Sequence, residues 1–216
     1  MNSIEENSAI CKEKLLHRGA IVLRQHAIFL RKEFFRKSIH LCTLLVPFAL
    51  HFFYLPVIID LSVVLVLYCI AETLRMHGKN VPVISAVTAA AARKRDENRF
   101  VLGPVTLCAG VLLTALIFEP TPAAIGIFAL GAGDGLASLV GKMFGKTKIP
   151  FTGGKSVVGS LTCFFVIFLL TFAVLKNCFA SLLIALVGML VEVLPFKDFD
   201  NLLIPLILAA FATFLI

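Results

Sequence analysis

Seven apolar blocks dominate this chain, at residues 38–55, 57–75, 100–118, 121–141, 156–175, 179–195 and 200–216. Each runs for about 17 to 21 residues, the length at which an α-helix crosses a hydrocarbon core of roughly 30 Å. Soluble domains intersperse their apolar residues, whereas here 59% of the residues are hydrophobic and they come in blocks. The expected fold is all-α, a polytopic membrane bundle of about seven helices with essentially no soluble domain. Short breaks at Pro56 and at Pro120 and Pro122 separate the first two pairs of spans. The first block follows a polar, basic leader and no small-residue cleavage site comes after it, so a cleaved signal peptide is not expected. Residues 1–37 read as that leader and 38–216 as the transmembrane domain. The six cysteines include no CxxC pair, so neither a disulfide framework nor a zinc site is indicated.

Charge fixes the orientation. Lys12, Lys14, Arg18, Arg24, Arg31, Lys32, Arg36 and Lys37 precede the first span. Arg75, Lys79, Arg93, Lys94, Arg95 and Arg99 follow the second, Lys142, Lys146, Lys148 and Lys155 the fourth, and Lys197 the sixth. With seven spans all of these share one side, and only Lys176 lies on the other. The positive-inside rule makes that side the cytosol, with the N-terminus inside. This distribution accounts for the net charge of +7 without nucleic acid as a partner. Between Leu15 and Phe35, Leu16, Leu23 and Leu30 recur at heptad spacing among basic residues, a pattern suited to a helix lying on an anionic membrane surface.

The chemistry is sought among the ionisable residues at membrane depth. Asp134 stands inside the fourth apolar block, about two turns from its cytosolic end. A carboxylate there costs a few kcal/mol on insertion scales and is kept mainly where it has a task. Glu72, Glu192, Asp198 and Asp200 also approach the cytosolic face, whereas Asp60 and Glu119 lie on the far side. Carboxylates grouped opposite loops of Lys and Arg describe a site for a metal-bound polyphosphate, acids holding Mg²⁺ and basic groups holding phosphates. Gly126, Gly131, Gly133, Gly135, Ala137 and Gly141 thin the fourth span so that other helices or a ligand come close, and glycines on both sides of Asp134 are expected to unwind it locally. Gly153–Ser156, GGKS, is not a P-loop: Ile149 stands where the motif needs glycine and no strand precedes it. Gly153 and Gly154 run instead into the start of the fifth span, whose free amides are suited to phosphate, with Lys155 and Ser156 as side-chain donors.

These residues resemble the nucleotide motif of the polyprenol kinase family, which includes dolichol kinase, phytol kinase and the CTP-dependent diacylglycerol kinase. The motif is read at Asp134, Ala137, Gly141, Gly145 and Lys148, then Gly154, Lys155, Ser156, Gly159 and Ser160. An opening R-K-x-x-H is read at Arg36, Lys37 and His40, and a late acidic motif at Glu192, Pro195, Asp200, Asn201 and Pro205. The resemblance spans nearly all of the chain after the leader. It implies a CTP-dependent kinase moving a γ-phosphoryl group onto the hydroxyl of an isoprenoid alcohol or diacylglycerol. Asp134 is expected to hold Mg²⁺ or orient the attacking hydroxyl. Lys142, Lys148 and Lys155, with Ser156 and the amides of Gly153 and Gly154, are expected on the triphosphate. Glu192, Asp200 and Asn201 are further candidates for metal or nucleotide, and Arg36, Lys37 and His40 for closing the site, with His40 alternatively the base. One departure stands out: Val158 occupies a position that is often Glu in these enzymes. Phosphatidate cytidylyltransferase resembles the same core, but its P-K-K-T-x-E-G element is missing here. A transporter would need a polar path across the whole bilayer, and the far-side halves offer little beyond Asp60, His51 and Glu119. The compact chain points to a bacterial inner membrane; the lipid, the nucleotide base and the oligomeric state are not legible.

Overall fold

The computed structural model describes residue 24 and residues 33–79 and 99–216. The interfacial helix expected from Leu15 and the basic cluster at Arg93, Lys94 and Arg95 lie outside the described residues, apart from the last turn before Phe35. Among the described residues all regular structure is helical, save one isolated bridge.

Among the described residues seven helices follow one another. Helix α1 occupies residues 33–52, so it is already under way ahead of the expected span start at residue 38. It tightens to a 3₁₀ turn at Thr43–Leu45 before continuing as Val46–Phe52. Pro47 explains this, because it has no N–H to bond the carbonyl of Thr43; Val46 N–H takes that carbonyl instead. The chain breaks at Phe53 (φ −137°, ψ 56°) and α2 runs over Tyr54–Met76. The break was expected at Pro56, which falls in the first turn of α2, where a missing N–H costs nothing. Helix α3 is Leu102–Ile117, and α4, Pro120–Met143, starts with Pro120 at its first position. Helix α5 is Val157–Leu175, α6 Cys178–Val193 and α7 Asp200–Leu215.

Helices α2, α4 and α5 are long and apolar enough to cross a membrane, and shorter apolar helices cover Gly103–Ile117, Cys178–Val193 and Asp200–Leu215. Large apolar side chains are spread over the outside, as at Ile59, Val63, Leu67 and Ile70 of α2 and Phe165 and Leu169 of α5. Water would penalise that surface and hydrocarbon would not. The chain is an all-α membrane helix bundle.

Helix α4 is the axis of the bundle: Ile125, Ile127 and Leu130 are fully buried against Ile167, Ile184 and Leu208 of α5, α6 and α7. Two close approaches fix α7. A Cβ on Gly126 would stand 2.3 Å from Pro205 O, and one on Gly110 equally close to Asn201 O. Pro205 has no N–H for the carbonyl four residues earlier, which is that of Asn201. The freed carbonyl turns toward α3, and only glycine leaves room for it. Around Asp134 the helix is locally underwound while staying hydrogen-bonded: Ala129–Asp134 forms a π-helical turn inside α4. Such turns are rare and are frequent at functional sites.

Candidate active site

Lys37 and His40 lie one turn apart on α1 and meet the same carboxylate of α4. Lys37 Nζ donates to Asp134 Oδ2 at 2.6 Å. His40 Nδ1 is 3.4 Å from that oxygen and makes no hydrogen bond. All three side chains are under 10% exposed. A buried carboxylate without a counter-charge would be several kcal/mol more costly, so Lys37 is what lets Asp134 stay in place. The glycines make this approach possible. A Cβ on Gly131 would sit 2.6 Å from Thr43 Oγ1 and 3.1 Å from His40 O, and one on Gly133 would stand 2.9 Å from Ile167 on the other side. They admit α1 and α5 to the flanks of the π turn.

A second group adjoins the first. Lys155 Nζ is 3.4 Å from Glu192 Oε1 and 3.7 Å from Asp200 Oδ2. Ser160 Oγ donates to Glu192 Oε2 at 3.2 Å. Lys155 and Glu192 both act electrostatically on Asp134 or feel its charge, so the two groups form one continuous field. Residues from α1, α4, α5, α6 and the start of α7 therefore converge, together with Lys155 of the α4–α5 connection, at the end of the bundle that the charge rule assigns to the cytosol.

A third group contains the residue that the sequence reading missed. Glu33, 6% exposed, pairs with Arg36 at 2.6 Å and with Lys142, and accepts from Ser138 Oγ at 3.2 Å. It ties α1 to the end of α4. Its spacing was the available signal: Glu33, Arg36, Lys37 and His40 share one helical face once α1 is allowed to begin before the apolar block.

Several expected site residues have structural employment. Ser156 caps α5: its Oγ accepts from Gly159 N–H and donates to Gly141 O, each at 3.2 Å, and it is 3% exposed. Gly141, Gly145 and Gly159 are the packing surface around that cap; a Cβ on Gly159 would stand 2.8 Å from Ala137 O. Asn201 faces α3, donating to Gly103 O at 3.2 Å and Thr106 Oγ1 at 3.3 Å. Arg36 and Lys142 are held by Glu33. Lys148 is exposed on the connection between α4 and α5, and Gly153 and Gly154 turn that connection with φ 71° and 98°. Val158 is exposed, about 200° around α5 from Ser160 at 100° per residue, so the departure from the motif falls away from the Ser160–Glu192 contact. Glu72 stands apart: fully buried, it accepts from Arg75 and from Val101 N–H at 2.8 Å, joining α2 to α3.

Asp134, Glu192 and Asp200 were expected around Mg²⁺. Among the described residues no three His, Cys, Asp or Glu side chains are grouped to hold a metal ion; Lys37 pairs with Asp134, and Lys155 contacts both Glu192 and Asp200. A protein-only magnesium cage does not fit. A magnesium ion bound chiefly by phosphates needs only one or two carboxylates, and Asp134 and Glu192 suit that lesser role.

Fold and site together define an integral membrane helix bundle with a buried, charge-compensated polar cluster at one end. The chain is 31% identical over 176 residues to "Probable phytol kinase 1, chloroplastic" of Oryza sativa subsp. japonica, covering 71% of this chain and 54% of the relative. It is 29% identical over 160 residues to "Phytol kinase 1, chloroplastic" of Arabidopsis thaliana (64% and 52%) and 33% over 152 residues to "Probable phytol kinase, chloroplastic" of Triticum aestivum (60% and 50%). The chain thus spans about half the length of the curated relatives it matches. No family model matches it, nor does any solved structure at a significant level. These relatives support a relationship to the polyprenol kinase family. Their names place them in chloroplasts and lend no support to the bacterial inner membrane expected above.

Proposed function

We propose that this chain is a lipid kinase that transfers the γ-phosphoryl group of CTP, accompanied by Mg²⁺, to the hydroxyl of an isoprenoid alcohol of the phytol type. The observation that carries the reading is the convergence of Lys37, His40, Asp134, Lys155, Ser160 and Glu192 in one largely buried field at one end of the bundle. Phosphoryl transfer asks little covalent chemistry of a protein; positioning and charge neutralisation supply most of the rate.

In this reading the alcohol slides between spans with its hydroxyl toward Asp134. His40, whose Nδ1 is buried and unpartnered, accepts the hydroxyl proton as the oxygen attacks phosphorus and the bond to the nucleoside diphosphate breaks. Lys155 neutralises the phosphates, exchanging its loose contacts with Glu192 and Asp200 for phosphate oxygens. When bound, magnesium supplies charge neutralisation at those oxygens, with Asp134 and Glu192 as its protein ligands. Lys37 keeps Asp134 ionised and aimed.

The test uses purified protein in detergent–lipid micelles with CTP or ATP labelled on the γ- or α-phosphate. Phytol, polyprenol, diacylglycerol and phosphatidate serve as acceptors. Label from the γ position on phytol or polyprenol, more with CTP than ATP, is the expected result. Label from the α position on phosphatidate would make the protein a cytidylyltransferase, and γ-label confined to diacylglycerol would reassign its lipid.

A further inference from the structure

The connection between α4 and α5 folds back on itself as a short hairpin. Ile149 N–H donates to Lys155 O at 2.8 Å and Val157 N–H to Thr147 O at 3.2 Å, around an antiparallel bridge between Lys148 and Ser156. Its tip is Phe151, 99% exposed and in the left-handed region at φ 63°. Both features disfavour a phenylalanine surrounded by water. The ring removes no apolar surface from solvent, and its Cβ is strained in a conformation that glycine adopts freely. Serine or glycine would serve a plain turn better.

The surroundings indicate what covers the ring. The hairpin leaves α4 at Met143 and enters α5 at Val157, and both helices are long and apolar enough to cross a membrane. Its stem therefore sits where two spans leave the bilayer. Phe151 is three residues beyond the bridged Lys148, a reach of about 10 Å. The headgroup layer is roughly 5–8 Å deep on each side of the hydrocarbon core, so a finger leaning over it ends among the headgroups. Met143 and Phe144 at its base are 67% and 64% exposed, and Lys146 and Lys148 are exposed between base and tip. Exposed apolar side chains alternating with lysines at this depth match an anionic leaflet, rings among the acyl–headgroup boundary and ammonium groups on lipid phosphates.

We propose that residues 146–155 form an interfacial finger, with Phe151 its membrane-contacting tip and Lys146 and Lys148 its contacts to anionic phospholipid. The finger ends in Lys155, so seating it on lipid sets the position of that ammonium above Glu192. The proposal does not depend on the phosphoryl-transfer reading.

The chain has no tryptophan, so Phe151→Trp installs a single reporter at the tip. The variant is first matched to the parent by elution profile and thermal unfolding, then placed in vesicles of phosphatidylcholine with phosphatidylglycerol. Blue-shifted emission, protection from aqueous iodide and strong quenching by brominated phosphatidylcholine are expected. The shift should shrink in pure phosphatidylcholine and in a Lys146→Gln/Lys148→Gln background. In parallel, Phe151→Ser should speed tryptic cleavage at Lys146 and Lys148 in the same vesicles. A tip that emits as indole in water, open to iodide and untouched by bromolipid, would overturn the proposal. So would quenching that appears only on adding CTP, which would make Phe151 a base-stacking residue instead.

Discussion

The Lys37–Asp134 pair offers the sharpest test of how the site is held. Its atoms are 2.6 Å apart with side chains 5% and 9% exposed, and it joins residues 97 positions apart in the sequence. Lys37→Met removes the ammonium and strands the buried Asp134 carboxylate beside His40. Breaking one side of a buried pair costs about 3–5 kcal/mol, because the survivor keeps its desolvation penalty without its partner. For a chain of this length that corresponds to a fall in melting temperature of roughly 6–20 °C. Asp134→Asn strands Lys37 instead, with the amide oxygen retaining part of the contact, so a somewhat smaller loss is expected. The double variant removes both charges and should lose no more than the worse single variant, leaving a coupling of about 2–3 kcal/mol. The measurement is thermal unfolding of the four proteins in one detergent, followed by circular dichroism. Losses that simply add would refute the idea that the two side chains act as one buried unit.

Other outcomes follow from single contacts. Lys155→Met should lower phosphoryl transfer at least about tenfold, since charge-assisted contacts to phosphate contribute on the order of 1.5–3 kcal/mol, with its melting temperature little changed; γ-label transfer checks this. Glu72→Ala should cost about 1–3 kcal/mol by leaving Val101 N–H and Arg75 without their acceptor, seen in thermal unfolding. Gly159→Ala should wedge α5 from α4 at Ala137 O and cost about 1–3 kcal/mol, whereas Gly153→Ala meets no neighbouring atom and should lose only about 1 kcal/mol for its positive φ. Ser156→Ala should cost about 1 kcal/mol through the lost cap of α5; equal losses for Ser156→Ala and Ser156→Gly would argue against capping.

The helices were legible because apolar length reads directly onto span length, and the breaks at Pro120 and Phe53 differ from expectation only by where a proline may sit in a first turn. Asp134 was legible because a carboxylate at that depth needs a reason. Its partner was less so: Lys37 belongs to the resemblance motif, yet nothing local joins it to a residue 97 positions away. Glu33 escaped because the apolar block was taken as the start of the helix, which begins earlier. Ser156 and Asn201 illustrate the opposite difficulty. Their residue types suit phosphate or metal chemistry, but a hydroxyl at the start of a helix and an amide beside an open carbonyl are claimed by the backbone first.

The π turn at Ala129–Asp134 carries a consequence for how such chains are aligned. A π turn is an α-helix with one residue too many, and the surplus is absorbed where it occurs. Removing one residue from that stretch would leave Pro120 and Met143 docked as before, with a plain helix between them. The helix and the carboxylate would both survive, because Asp134 closes the turn and shares the register of Met143; what would be lost is the widened backbone at Gly131 and Gly133, past which α1 and α5 approach. A one-residue gap here is therefore no neutral length difference but the loss of the bulge that lets α1 and α5 come close beside Asp134.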